Sequence, residues 1–399
     1  MTSRLIVNSI RHTGASADAI TLDNSGNATF PANVTCSGTA TGFGKDPKAT
    51  NLVINGAMMV AQRGTSFTTH PSYAVDRFRW GFNNHSAGTV TVSQQSLSSS
   101  DTPYTLGFRK YNRMALGQAG TAAANTAINL TYKFEAQDVA NSGWNYTSTS
   151  SFITISFWFR CSTNQTFVGE FQSKDGTAQA YSFTFTASGN NTWTKITKTI
   201  PGASNVQIDN DNGGGFDFRW YAFYGTDYST SGHTLDQWGP YSSSDIVPDM
   251  ASTWLTAGAS TFDVTGVQLE VGDSATDFEH RSFADELARC QRYFQVLVDS
   301  ESVYFGGGYM YDHYRAYLPV QYYVEMRSAP SFQYTSGTNY YSLHRNGSGD
   351  NFDGWSSAIG GDNKHVAIQA QSGLSGTGGH AGAFWSGNAA SKITFEAEL

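Results

Sequence analysis

Residues Thr261–Phe294 read TFDVTGVQLEVGDSATDFEHRSFADELARCQRYF, and this stretch decides the fold. Phe262, Val264, Val267, Leu269 and Val271 form an apolar run whose alternation changes phase at Gly266, the pattern of a strand carrying a bulge. Phe283, Leu287, Cys290 and Phe294 then recur at three- and four-residue spacing. Ser282 precedes them as a helix cap, with Asp285 and Glu286 in the first turn, where negative charge meets the positive end of the helix. The pattern predicts the last strand of a β-sandwich running into a short amphipathic helix whose stripe is buried against a sheet.

Composition extends that reading to the whole chain. Of 399 residues, 14% are charged and 14% aromatic, with 41 Gly, 21 Tyr, 26 Phe and 9 Trp. Few charges beside many aromatics and glycines indicate short strands and tight turns, and so much apolar surface argues against disorder. The net charge of −8 excludes a phosphate-backbone binder, since no Lys/Arg cluster is present to release counterions; no nucleic-acid partner is expected. Cys36, Cys161 and Cys290 are too few and too scattered for a disulfide framework or a zinc site, which fits a reducing compartment. No apolar leader follows MTSRLIVNSIR and no run approaches the roughly 18 apolar residues that span a bilayer, so no membrane insertion is expected.

Working outward, the expected fold is mainly β in three parts. Residues 1–47 hold the strand-like pieces RLIVNSI and AITLD, then NATFPANVTCSG and a Gly/Pro-punctuated linker. They have too few apolar residues for a core, so copies of the segment or a neighbouring protein must order them. Residues 48–283 alternate strands such as FITISFWFRC and FDFRWYAFYG with Gly/Asn/Ser/Asp turns, as in an antiparallel two-sheet sandwich. In the first of these, Ile153, Ile155, Phe157 and Phe159 share one face. Residues 284–399 comprise the linking helix and a smaller β domain, from QVLVDSESVYF to ITFEAEL.

The strand-to-helix join resembles that of bacteriophage tail-fibre and related virion-appendage proteins. The likeness extends to NLVINGAMMVAQRGTSF (Asn51–Phe67), YAVDRFRW (Tyr73–Trp80) and LIVNSIRHTGASADAITLDNSGNATF (Leu5–Phe30). The strand order of the sandwich looks like the jelly roll of carbohydrate-binding modules. The resemblance implies an N-terminal segment that docks to other virion tail proteins and forms a homotrimer. It also implies assembly in the host cytoplasm, a place in the virion tail and attachment to host cell-surface polysaccharide.

The sequence offers residues for three kinds of site. No G-x-S-x-G occurs and the nine histidines lie singly, so no enzyme is expected. The loop IDNDNGGGFD offers Asp209 and Asp211 as ligands for a structural calcium, but it lacks the third side chain and the glutamate of a helix-flanked calcium loop, and a plain Asn/Asp/Gly turn is the favoured reading. A glycan site needs flat rings against the C–H face of a sugar, with polar neighbours for its hydroxyls. Tyr309 and Tyr311 after the glycine run, Trp355 in DNFDGWSS and Trp385 in GAFWSGN are the candidates, all placed in loops. The expected function is thus a tail fibre binding a host-surface glycan. The alternatives are a purely structural fibre adaptor, tail-hub or head-decoration protein, and a polysaccharide depolymerase.

Overall fold

The computed structural model describes residues 7–25, 28–30, 51–371 and 373–399. The chain divides into two units, Met1–Lys48 and Ala49–Leu399. In the first, Ser9–Ile10, Ile20–Leu22 and Ala28–Thr29 pair as a small antiparallel meander. Ile10, Leu22 and Phe30 are exposed, so the described part of this unit has no apolar interior. The linker and Cys36 lie outside the described residues.

The second unit is mainly β and holds two principal cores. The larger lies within a jelly-roll sandwich of a six-stranded and a seven-stranded sheet, with the chain crossing repeatedly between them. Thr261–Val271 sits inside the six-stranded sheet between Phe152–Cys161 and Lys110–Leu116. Its bulge is where the phase change placed it. The register slips between Ser156 and Trp158, and Gly266 adopts φ +60°, a left-handed conformation that glycine enters without Cβ strain. The domain's opening segment runs beside this strand, with Leu52 N–H donating to Leu269 O and Val267 N–H to Gly56 O, both at 2.9 Å.

Along Phe152–Cys161 the row Ile153, Ile155, Phe157 and Phe159 is fully buried in the core, while Thr154 and Ser156 on the other face are also covered. Phe157 meets Trp220, and Phe159 meets Phe167, Phe185 and Phe262, at ring spacings of 4.7–5.6 Å. Each buried ring withdraws about 150–250 Å² from water, which makes this aromatic cluster the main stabilising element of the sandwich. Cys161 and Cys290 are buried, as small apolar side chains.

The helix spans Phe283–Gln291, and Ser282 Oγ accepts from Asp285 N–H at 3.1 Å as the cap. Its buried face differs from the expected stripe. Of that stripe Cys290 and Phe294 are buried, but Phe283 is 55% exposed and Leu287 only half-buried, and Glu286 and Tyr293 are buried in their stead. The cause is polar. Glu286 Oε2 accepts Asn55 N–H at 2.8 Å and Oε1 accepts from Arg281 at 3.2 Å, which turns the helix so that a carboxylate points inward.

Beyond the helix, Ile393–Glu396 lies between Phe294–Val298 and Ser331–Tyr334 in a three-stranded sheet. A seven-stranded sheet follows in the order Ser348–Phe352, Tyr341–Arg345, Ala381–Ser386, Val303–Met310, Arg315–Gln321, His365–Gln371, Trp355–Ile359. Its two edge strands are joined through Asp353 and Gly354 alone, so the sheet must curl to bring those ends together, although no ladder pairs the two edges among the described residues. The result is a barrel filled by Met310, Leu318, Leu343, Ile368 and Phe384.

Candidate functional site

The run Gly306–Gly308 lies inside a strand, not in a loop. A Cβ at Gly306 would stand 2.5 Å from Leu318 Cδ1, and one at Gly308 2.1 Å from Tyr317 O. The glycines therefore allow close packing of neighbouring strands on the barrel wall. Gly307 faces the other way, where a Cβ would meet only Gly382 O at 3.9 Å. That outward face is the candidate site.

Register sets its layout. Trp385 lies between Tyr304 and Ser342 on the adjacent strands, and Ala383 between Gly307 and His344. Ala381 pairs with Tyr309, which in turn pairs with Tyr317. Side chains directly opposite on antiparallel strands share a face, so these residues form one outer surface. At one end Tyr304, 56% exposed, meets Trp385 edge-on at 4.6 Å, and His344 stacks on Trp385 at 5.7 Å. The Tyr304 hydroxyl and His344 Nδ1 lie 2.7 Å apart in a hydrogen bond that holds the cluster together. At the other end Tyr311 stacks on Tyr317 at 4.9 Å, with Tyr309 at 5.9 Å from Tyr317. Arg315 lies 4.9 Å over the Tyr311 ring. Its hydrogen bond to Asp312, together with those from the Tyr314 and Arg315 N–H groups, holds that carboxyl down at about 2.

Between the two clusters the floor is Gly307 and Ala383. Trp385 and Ala381 are four residues apart on one strand, about 13 Å at the usual strand rise. The surface is thus a shallow trough with small residues beneath and aromatic walls at both ends. It offers stacking faces for an extended apolar–polar ligand, with Arg315 and the Tyr hydroxyls as hydrogen-bonding groups. Tyr304, Tyr309, Tyr311 and Tyr314 are all exposed within eleven residues of chain, a local concentration of large exposed rings.

Of the residues expected in a glycan site, Tyr309, Tyr311 and Trp385 lie on this face. Trp355 does not. It is 3% exposed in the barrel core, with Phe352 and Phe384 at 5.2 Å and Tyr341 at 5.6 Å. Trp355 and Trp385 are both strand residues, not loop residues; their short strands, Trp355–Ile359 and Ala381–Ser386, lie between Gly-rich segments that obscure them. His344 and Arg315 were missed because only cross-strand register brings them to the rings.

The Asp209/Asp211 loop is a turn. Asp211 Oδ1 accepts Gly213 N–H at 2.8 Å, and Asp209 N–H donates to Asp175 at 2.8 Å. Among the described residues no group of three or more His, Cys, Asp or Glu side chains is placed to hold a metal ion.

No family model matches this chain, and no curated protein matches it. Among solved structures, the enzymatically active domain of tailspike protein 4 from bacteriophage CBA120 is similar at 11% identity over 56% of this chain, with a TM-score of 0.29; the match spans only 21% of that chain's length. A putative sugar binding protein from Bacteroides thetaiotaomicron shares 8% identity over 56% of this chain and 100% of its own, with a TM-score of 0.29. The family 11 carbohydrate-binding module from Clostridium thermocellum, in complex with a mixed-linked tetrasaccharide, shares 12% over 54% and 98%, with a TM-score of 0.23. Likenesses this distant carry no argument about function, which rests on the geometry of the barrel face.

Proposed function

We propose that the chain is a non-enzymatic virion appendage protein, a tail fibre that binds a host-surface polysaccharide through the outer face of its C-terminal barrel. The N-terminal segment trimerises and docks to other tail proteins, after assembly in the host cytoplasm. The observation that carries the glycan reading is the trough itself: Tyr304, Trp385 and His344 at one end, Tyr309, Tyr311 and Tyr317 at the other, with Gly307 open between them. Sugar rings laid along it present C–H faces to the aromatics and hydroxyls to Arg315 and His344. Affinity per site is modest, and three linked copies raise it through effective concentration.

The test is the double substitution Tyr304→Ala and Trp385→Ala, with circular dichroism and thermal unfolding measured on the same preparation as adsorption to host cells. Adsorption is expected to be lost while the fold persists. Full adsorption by the folded double variant would remove this face from the site and favour the purely structural role, in which the barrel is covered by other virion proteins. Host polysaccharide incubated with the chain should keep its length; shortening would make the protein a depolymerase.

A further inference from the structure

A second site stands apart from the barrel, on the outer face of the six-stranded sheet of the sandwich. There the bulge at Gly266 forms the floor of a cavity of about 290 Å³. Its walls are Trp158 on one side and Phe108, Phe278 and His280 on the other, with Lys195 and Asp277 also lining it. A Cβ at Gly266 would lie 2.8 Å from Phe108 Cζ and 3.0 Å from Trp158 Cδ1, so only glycine lets both walls approach this floor. Register places Lys195 directly across from Trp158 on the neighbouring strand.

The wall contributed by residues 276–280 is fixed from below. Glu270, buried in the last strand, accepts Thr276 N–H at 2.9 Å and the Thr276 hydroxyl at 2.7 Å. Gln268 accepts Glu279 N–H at 2.8 Å and donates to Asp277 O at 3.3 Å. Two fully buried polar side chains thus hold the segment across the sheet. This gives the cavity a preformed wall and gives Gln268 and Glu270 a purpose beyond the sandwich.

The ring geometry selects the ligand. Phe108, Phe278 and His280 pack on one another at 4.7–5.0 Å and 49–66°, so their faces are largely spent on each other. Trp158 is half-buried and has no ring partner among the described residues. One free indole face is a stacking surface for a flat apolar ring, not a cage closed around a quaternary ammonium. The side chains of Lys195 and Asp277 have no hydrogen-bond partner among the described residues and offer a donor and an acceptor at the same cavity. The volume is at the low end of ligand pockets, enough for one ring but not for a chain.

We infer that this cavity binds a single pyranose unit, a chain-terminal or branch sugar, stacked on Trp158 with its hydroxyls on Lys195 and Asp277. The site is independent of the barrel trough, which takes an extended chain.

The test is titration of the full chain with the methyl pyranosides of glucose, galactose, mannose and N-acetylglucosamine, followed by calorimetry and ligand-observed NMR. At least one glycoside should bind at one site per chain. Trp158→Ala should weaken that binding about tenfold or more, and Lys195→Ala, at an exposed position that leaves folding intact, should weaken it several-fold. The Tyr304→Ala and Trp385→Ala double variant should bind the glycoside as the parent does. Absence of binding to every glycoside overturns the inference, as does binding unaffected by either cavity substitution. Binding lost only in the barrel variant overturns it while leaving the barrel reading standing. Phosphocholine binding in place of glycosides, abolished by Trp158→Ala, would show a cation site and overturn the sugar assignment.

Discussion

Arg292 grips Glu135 with two hydrogen bonds, 2.7 Å from Nε and 2.8 Å from Nη2, and so ties the end of the helix to a strand of the seven-stranded sandwich sheet. Tyr293 adds its hydroxyl to the same carboxylate at 2.5 Å. Burial pushes the Glu135 carboxyl up, and these hydrogen bonds outweigh it, holding the group below its ordinary value. The rest of the seam is charged as well. Arg77 lies 3.3 Å over the Tyr293 ring and pairs with Glu398, Arg63 reaches Glu396 and Glu398, and Lys133 donates to Leu399 O at 2.7 Å. Sandwich and barrel are therefore held by a buried polar network, and the helix is a fixed joint.

Removing the acceptor tests that joint. Glu135→Ala leaves Tyr293 without its partner and Arg292 half-buried and unpaired. It should cost about 3–5 kcal/mol, as breaking buried ion pairs does. Arg292→Ala should cost less, because 30% of that side chain faces water. Chemical unfolding that shows no loss for Glu135→Ala would mean that the seam is not stabilised through this carboxylate.

The helix offers a second comparison. Glu286→Ala strands the buried Asn55 N–H and takes from Arg281 one of its two carboxylate partners, leaving Glu279, and should destabilise by about 3 kcal/mol. Leu287→Ala, at a half-buried position, should cost less than the 2–5 kcal/mol of a full core truncation. The reverse order in denaturant midpoints would restore the apolar stripe as the buried face.

That exchange of Leu287 for Glu286 marks the limit of what the sequence discloses. Periodicity located the Gly266 bulge, the inward row Ile153, Ile155, Phe157 and Phe159, and the start of the helix at Ser282, because each rests on local spacing. It missed the inward carboxylate of Glu286, since a charged side chain is buried only when partners distant in sequence satisfy it, here Asn55 at a separation of 231 residues. The same reason governs the candidate site. Tyr309 and Tyr311 were legible as unusual exposed rings, but Trp355 and Trp385 look alike in sequence, each followed by a serine within a glycine-containing stretch. Only the curl of the barrel sends one inward and the other out.

Trp355→Ala should therefore behave as a core deletion, with a loss of about 3–5 kcal/mol, and should affect adsorption only through instability. Thermal unfolding and host adsorption on one preparation separate the two effects. A variant of parental stability that fails to adsorb would return Trp355 to the glycan site.

Glu170 gives the sandwich a pH dependence. It is fully buried, with Tyr221 donating to Oε1 at 2.8 Å, Ser182 to Oε2 at 3.4 Å, and Arg219 at 3.7 Å. Burial pushes its carboxyl up to about 7 despite these partners. Below its unfolded value, near about 4.3, both states carry the proton. Between there and pH 7 only the unfolded chain releases it, so stability falls as pH rises through that window and levels off above it, by about 3 kcal/mol in all. Glu170→Gln keeps the acceptor for Tyr221 without the charge, so this part of the slope should vanish. Denaturant midpoints that fall as steeply between pH 5 and 7 in the variant as in the parent would assign the slope to other groups.

The last prediction concerns assembly. Ile10, Leu22 and Phe30 stand 49%, 37% and 39% exposed on a meander whose strands are two or three residues long. Strands this short are not stable alone, and apolar side chains without an interior gain most from mutual burial between copies. Three-fold symmetry closes such an interface without leaving a free edge for further growth. Full-length protein should therefore be a trimer by light scattering. Removing residues 1–48 should leave 49–399 folded, since both principal cores and the seam between them lie within that unit, while lowering the oligomeric order. A truncated protein that stays trimeric would move the interface to the sandwich or barrel, and a monomeric full-length chain would end the trimer reading.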